Sequence, residues 1–158
     1  MKQFMTMIGA DGDCQDTRQE VLIAESEIAV TFANSLQCKV ASGRWTDPYS
    51  GETFADPRDL DVDHMVPLRN AQRSGGWEWA KQRREEYAND LDNPEHLIAV
   101  DASLNRSKSD QGPDKWMPPN ADYHCQYVTG WQAIKQRWVL VMSAREAEAV
   151  VEIGQHCP

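Results

Sequence analysis

Four cysteines, at positions 14, 38, 125 and 157, constrain this chain more than any other feature. No two of them form a C-x-x-C pair, which argues against a zinc ribbon or a thioredoxin-type redox motif and for two disulfides. Cys125 and Cys157 flank a stretch with the pattern of a helical hairpin, whose antiparallel return brings its ends together, leaving Cys14 to meet Cys38. Four cysteines permit three connectivities, and a bridge needs Cα atoms within about 7 Å. Four reduced thiols in a cytosolic protein are the alternative. The bridged form implies an oxidising compartment, secreted or periplasmic. It also limits the fold: a straight helix from 17 to 36 would hold Cys14 and Cys38 roughly 30 Å apart. The helix capped by Asp16 is therefore expected to end near Glu27, with the chain turning back through Asn34 and Ser35. Met1-Lys2 is not followed by an apolar signal-peptide core, so the sequence reads as a mature or trimmed form.

A chain of 158 residues suits one domain, expected over 1–158. No apolar run approaches the roughly 20 residues that span a bilayer, so no membrane partner is expected. The net charge of −9 excludes a protein that finds polyanions by overall attraction. The basic residues concentrate between positions 58 and 116, interleaved with acids, a mixture that suits a solvated surface or a site holding a cation and a phosphate.

Periodicity predicts a strand at Ile28, Val30 and Phe32, and a packed, turn-rich loop over 43–58 containing Trp45, Tyr49 and Phe54. A strand at Leu60 to Val66 runs into Pro67 and a helix from Leu68 to Arg73, stopped by Gly75-Gly76. Trp77 to Tyr87 reads as a helix with Trp77, Ala80, Arg84 and Tyr87 on one face. Leu97 to Val100 forms a buried strand, and Asp101 caps a helix through Asn105 and Lys108, ended by Gly112-Pro113. Trp131, Ile134, Lys135, Trp138 and Val141 have helical spacing, and Ser143 with Glu146 makes a capping box for a last helix. The tryptophans and tyrosines at 45, 49, 77, 79, 116, 131 and 138 read as core.

The informative stretch is 61 to 108: D-V-D-H-M-V-P-L at Asp61 to Leu68, A-N-D at Ala88 to Asp90, H-L-I-A-V at His96 to Val100 and N-R-S-K at Asn105 to Lys108. Asp63 and His64 oppose each other on an extended strand, but at a strand end both can reach one cavity, which Asn105 enters from the following helix. A carboxylate and an amide oxygen are hard ligands suited to Mg²⁺, which keeps several waters and substrate phosphate oxygens. An unliganded imidazole beside such an ion is expected to have a pKa close to the working pH, as a base for activating water requires. Asp61, two positions before Asp63, reads as a cap or hydrogen-bond partner for the loop, with support of the metal ligands as the alternative.

With these motifs the chain resembles the HNH, or ββα-metal, nucleases. More narrowly, it is similar to secreted bacterial proteins related to the C-terminal domain of GmrSD restriction enzymes. The resemblance runs from D-C-Q-D-T-R at Asp13 to Arg18, through S-G-R-W-T-D-P-Y-S-G at Ser42 to Gly51 and the central motifs, to K-W-M-P-P at Lys115 to Pro119. It implies an α+β fold with a ββα-metal core at about 58–112, binding one divalent ion, Mg²⁺ or else Mn²⁺ or Ca²⁺. It implies hydrolysis of DNA, or RNA; a small lone domain without a base-reading module is expected to cut with low sequence specificity, as a monomer. Carried over by position, His64 is the general base, Asp63 and Asn105 are the metal ligands, and Arg84 and Lys108, or Arg106, supply cationic assistance. Many relatives have Asn just before the second strand, where this chain has His96, with Asn89 a few residues earlier. Either could hold the loop that positions His64. A site- or modification-selective nuclease, and a disulfide-stabilised binding module without chemistry, are the alternatives.

Overall fold

The computed structural model describes residues 9 and 11–158. Met1-Lys2, on which the reading of a mature or trimmed start rests, lies outside them. Six helices and three two-stranded antiparallel sheets make a mixed α and β architecture among these residues. Helix α1 (Thr17–Glu25) starts at Asp16, whose side chain accepts the Gln19 N–H, as expected of a short polar residue at a helix start. Of the strand expected at 28–32, only β1 (Thr31–Phe32) pairs, with β2 (Val40–Ser42) across an irregular register. Ile28 instead lies half exposed, outside any ladder. The loop at 43–58 contains a second small hairpin, β3 (Trp45–Thr46) with β4 (Thr53–Phe54).

The third sheet organises the middle of the chain. Strand β5 (Leu60–His64) runs antiparallel to β6 (Leu97–Asp101), pairing Leu60 with Asp101 and His64 with Leu97. Between them lie α2 (Leu68–Arg73), stopped where Gly75 takes a φ of 125° open only to glycine, and α3 (Lys81–Ala88). Helix α4 (Ala102–Lys108) follows β6 without a loop, its first turn capped by Asp101 accepting from the Leu104 N–H. It ends at Ser109, whose φ is 52°, earlier than the Gly112-Pro113 stop expected from sequence.

The helix expected over Trp77–Tyr87 is broken. Gly76 packs so closely on the Ala71 carbonyl that the chain first makes a 3₁₀ turn at Gly76–Glu78, then extends through Trp79 and Ala80 before α3 begins. That break swings Trp79 against Tyr87 and Trp138, with the Arg83 guanidinium over both indoles, and leaves Trp77 63% exposed rather than in the core. Burial of one large ring has outweighed helical spacing. Trp45, Tyr49, Trp131 and Trp138 are buried as expected.

Helices α5 (His124–Arg137) and α6 (Ala144–Gly154) form the C-terminal hairpin, with the Ser143–Glu146 capping box at the start of α6. Val141, expected on the helical face of α5, lies beyond its end, because Val139 turns out at φ 55° and the Val141 N–H bonds Ser74 instead. Both disulfides pair as expected: Cys14–Cys38 and Cys125–Cys157, with Cα separations of 5.1 and 5.6 Å. Closing loops of this length contributes about 3–4 kcal/mol each by restricting the unfolded chain. No helix among the described residues is long and apolar enough to cross a membrane.

Two side chains tie α1 to the central sheet: Arg18 Nη2 donates to the Leu60 carbonyl of β5 at 2.9 Å, and the Glu25 carboxylate accepts the Ala99 N–H of β6 at 2.8 Å. Burial pushes this carboxyl up to about 7, partly offset by the bond. Between pH 4.5 and 7 the folded state therefore binds more protons than the unfolded one. The stability conferred by protonated Glu25 is complete below pH 4.5 and lost as pH rises through 7. Glu25→Gln should match the wild type at pH 4 and exceed it by about 1–3 kcal/mol at pH 8. Urea denaturation at the two pH values checks this, and equal midpoint shifts at both would count against it.

Candidate functional site

Strand alternation puts Leu60 and Val62 on one face of β5, buried, and Asp61 and Asp63 on the other. Helix α4 packs along that second face. Asn105 and Lys108, three apart and hence neighbours on the helix, meet the two acids in turn. Asn105 Nδ2 donates to Asp61 Oδ2 at 3.0 Å, and Lys108 Nζ donates to Asp63 Oδ2 at 2.5 Å and to the His64 carbonyl at 2.9 Å. A third element reaches the same oxygen: the Tyr49 hydroxyl donates to Asp63 Oδ2 at 2.7 Å.

Asp63 and Lys108 are 6% and 0% exposed, so neither charge has water to turn to. Burial pulls the Asp63 carboxyl up and the Lys108 amine down, each toward neutrality, and their mutual attraction works against both shifts. Burial and the neighbouring Asp63 charge push the Tyr49 hydroxyl up, so it stays a donor.

His64, at the end of β5, bonds a different element. Its Nε2 lies 2.9 Å from the Ala88 carbonyl at the end of α3. A carbonyl only accepts, so this bond places the proton on Nε2 and the lone pair on Nδ1. The ring stacks on Tyr87, 6.2 Å between centroids and 10° between planes, and meets His96 edge-on. Burial first, then the nearby His96 and Lys108, holds His64 down at about 3 rather than near the working pH expected from sequence: the enclosed ring is neutral at physiological pH but a weaker base than a solvated imidazole.

His96 uses its own Nε2 on the preceding carbonyl, that of Tyr87, at 2.7 Å, while its buried Nδ1 has no hydrogen-bond partner. Two histidines thus clamp consecutive carbonyls of α3. Asn89 closes the same helix end, with Nδ2 on the Glu85 carbonyl and Oδ1 accepting from Thr17. Arg84 lies one turn earlier, half-buried, with Nη1 on the Trp79 carbonyl at 2.6 Å and Nε buried without a partner.

Of the residues singled out from sequence, Asp63, Asn105 and Lys108 lie along one strand–helix contact, and His64, His96 and Asn89 gather at the end of α3. The backbone of β5 joins the two groups. Asp61, Asp63 and Asn105 offer oxygen donors of the hard type that Mg²⁺, Mn²⁺ and Ca²⁺ prefer. Asp63 Oδ1 and Asn105 Oδ1 carry no hydrogen bond among the described residues, so the donor chemistry fits such an ion. The described residues hold no group of three or more His, Cys, Asp or Glu side chains placed to bind a metal. A cavity of about 320 Å³, lined by Asn70, Arg73, Ser74 and Glu146 among others, contains none of the site residues.

Sequence reasoning missed two participants. The sequence marks Tyr49 only as core, and the D-P-Y-S-G turn around it is the one signal that its position is fixed. The Ala88 carbonyl has no side-chain signature at all.

The sequence model of the family described as GmrSD restriction endonucleases, C-terminal domain, matches residues 16–153. A protein of Arthroderma benhamiae named "Uncharacterized secreted protein" is 37% identical over 155 residues, covering 98% of this chain and 74% of that protein. No solved structure matches the chain.

Proposed function

The chain belongs to the family of GmrSD restriction endonuclease C-terminal domains, a nuclease family of the HNH type, and from that we propose that it is itself a metal-dependent endonuclease. In this reading β5, β6 and α4 are a ββα core for one divalent cation, within a single domain that acts as a monomer. The substrate is DNA, with RNA as the second choice. A small domain without a base-reading module grips mainly phosphates, so cutting is of low sequence specificity. Two disulfides and a relative named as secreted support an oxidising, extracellular setting.

The observation that carries the reading is the bond from His64 Nε2–H to the Ala88 carbonyl, which leaves a neutral imidazole with its lone pair on Nδ1. Nδ1 takes the proton of the attacking water, and the Ala88 carbonyl stabilises the imidazolium that forms. Asp63 and Asn105 would hold the cation through their Oδ1 atoms. When bound, that ion supplies Lewis-acid stabilisation of charge on the phosphate and the departing 3′ oxygen. Lys108 acts by holding Asp63 and the His64 backbone in place. The cationic partners proposed for the phosphate chain are Arg106, exposed beside Asn105, and Arg84, whose Nη1 would have to leave the Trp79 carbonyl to reach it. His96 and Asn89 keep the end of α3 in position for His64.

A second reading is a binding module on the same fold, favoured by the Lys108 ion pair that already neutralises Asp63. Supercoiled plasmid incubated with the disulfide-bonded protein separates the two. Nicked and linear products with Mg²⁺, Mn²⁺ or Ca²⁺, abolished by EDTA and restored by excess metal, are the expected result. A wild type inert with all three ions selects the binding module.

A further inference from the structure

The segment 46–51, T-D-P-Y-S-G, supplies no residue to the chemistry proposed above, yet it is held by an unusual number of bonds for a loop. Asp47 is fully buried, with Oδ1 accepting the Tyr49 N–H at 3.0 Å and Oδ2 accepting the Ser50 N–H and hydroxyl at 3.0 and 2.6 Å. From the far side, Asn120 donates its backbone N–H to the Tyr49 carbonyl and its Nδ2 to Pro48. The Tyr49 ring is fully buried, edge-on to Trp116 at 5.2 Å and Tyr127 at 5.8 Å. A tyrosine locked in this way has neither backbone nor ring freedom left, and its one polar side-chain atom ends on Asp63 Oδ2.

We propose that Tyr49 is a positioning residue: it fixes the rotamer of Asp63 so that Oδ1, rather than Oδ2, is the oxygen offered to a divalent cation. The inference rests on the reading of Asp63 as a cation ligand. Oδ2 accepts from both Tyr49 and Lys108, while Oδ1 accepts from neither. The two donors do different things. Lys108 is a point charge on a four-carbon stem, and it repels any second cation brought to the same carboxylate. Tyr49 is uncharged and rigid, so it orients the carboxylate without that repulsion. Hydrogen-bond partners of metal ligands typically govern about 10–100-fold in metal affinity.

The test is Mn²⁺ binding to the full, disulfide-bonded chain without nucleic acid, read from the electron paramagnetic resonance signal of free Mn²⁺. Tyr49→Phe removes one oxygen and keeps the ring, and should raise the Mn²⁺ Kd about 10–100-fold. Tyr123→Phe and Tyr127→Phe, two other buried tyrosines without a bond to Asp63, should leave it unchanged and so measure the general effect of losing a buried hydroxyl. A wild-type Kd in Tyr49→Phe, or the same rise in all three variants, overturns the positioning role. Asp63→Asn locates the failure. If it loses Mn²⁺ while Tyr49→Phe does not, only the role of Tyr49 falls; if it binds as well as the wild type, the ligand assignment falls with it.

Discussion

His64→Ala should lower metal-dependent plasmid cleavage by at least about 100-fold, the lower end of what a positioned general base contributes. The tautomer of the ring is dictated by a fixed neighbour: Ala88, at the end of α3, can only accept. Truncation also strands that carbonyl, which costs roughly 1–3 kcal/mol if water does not reach it. Lost stability and lost chemistry therefore need separating. His64→Gln still carries an amide N–H able to donate toward Ala88, but it has no nitrogen lone pair that takes a proton. It should be as inactive as His64→Ala while melting closer to the wild type. Initial nicking rates and circular-dichroism melts on the same samples make the comparison, and either variant retaining activity within tenfold of the wild type would remove His64 from the base role.

Where the chain announces itself, it does so through local rules. Asp16, Asp101 and Ser143 cap their helices because short polar side chains at those positions compete well for free N–H groups. The Cys125–Cys157 bridge was readable because a hairpin of two helices must bring its ends together. What was not readable depends on through-space choices. Trp79 left its helix to join Tyr87 and Trp138, and periodicity has no term for that gain. Lys108, expected to assist the phosphate, is fully enclosed and paired with Asp63 because α4 lies directly on the acidic face of β5, so its charge is spent inside the fold. The adjacency of Asp63 and His64 suggested one shared cavity. Their hydrogen bonds run to different elements, Asp63 to Tyr49 and Lys108 and His64 to the end of α3, and the His64 carbonyl under Lys108 links the two.

That enclosure makes Lys108→Met the substitution with the largest expected effect on stability. It leaves Asp63 6% exposed, with Tyr49 as its remaining donor and no compensating charge. Breaking a buried pair from one side costs about 3–5 kcal/mol, a large part of the roughly 5–15 kcal/mol that holds a domain together. The deficit should depend on pH. Without the ammonium, burial raises the folded-state pKa of Asp63 further above its unfolded value, so between those values the folded protein binds the extra proton. The loss relative to the wild type is then largest at pH 8 and shrinks as pH falls through the raised pKa toward the ordinary carboxylate range. Pairing Lys108→Met with Asp63→Asn removes the stranded charge and should recover most of the stability at pH 8, because a neutral amide keeps the Tyr49 bond at a far smaller desolvation cost. Urea unfolding of the wild type, both single variants and the double variant at pH 5 and pH 8 closes the cycle. A Lys108→Met protein within about 1 kcal/mol of the wild type at pH 8 would mean that water reaches Asp63 and that the ion pair is not the buried strut its geometry describes.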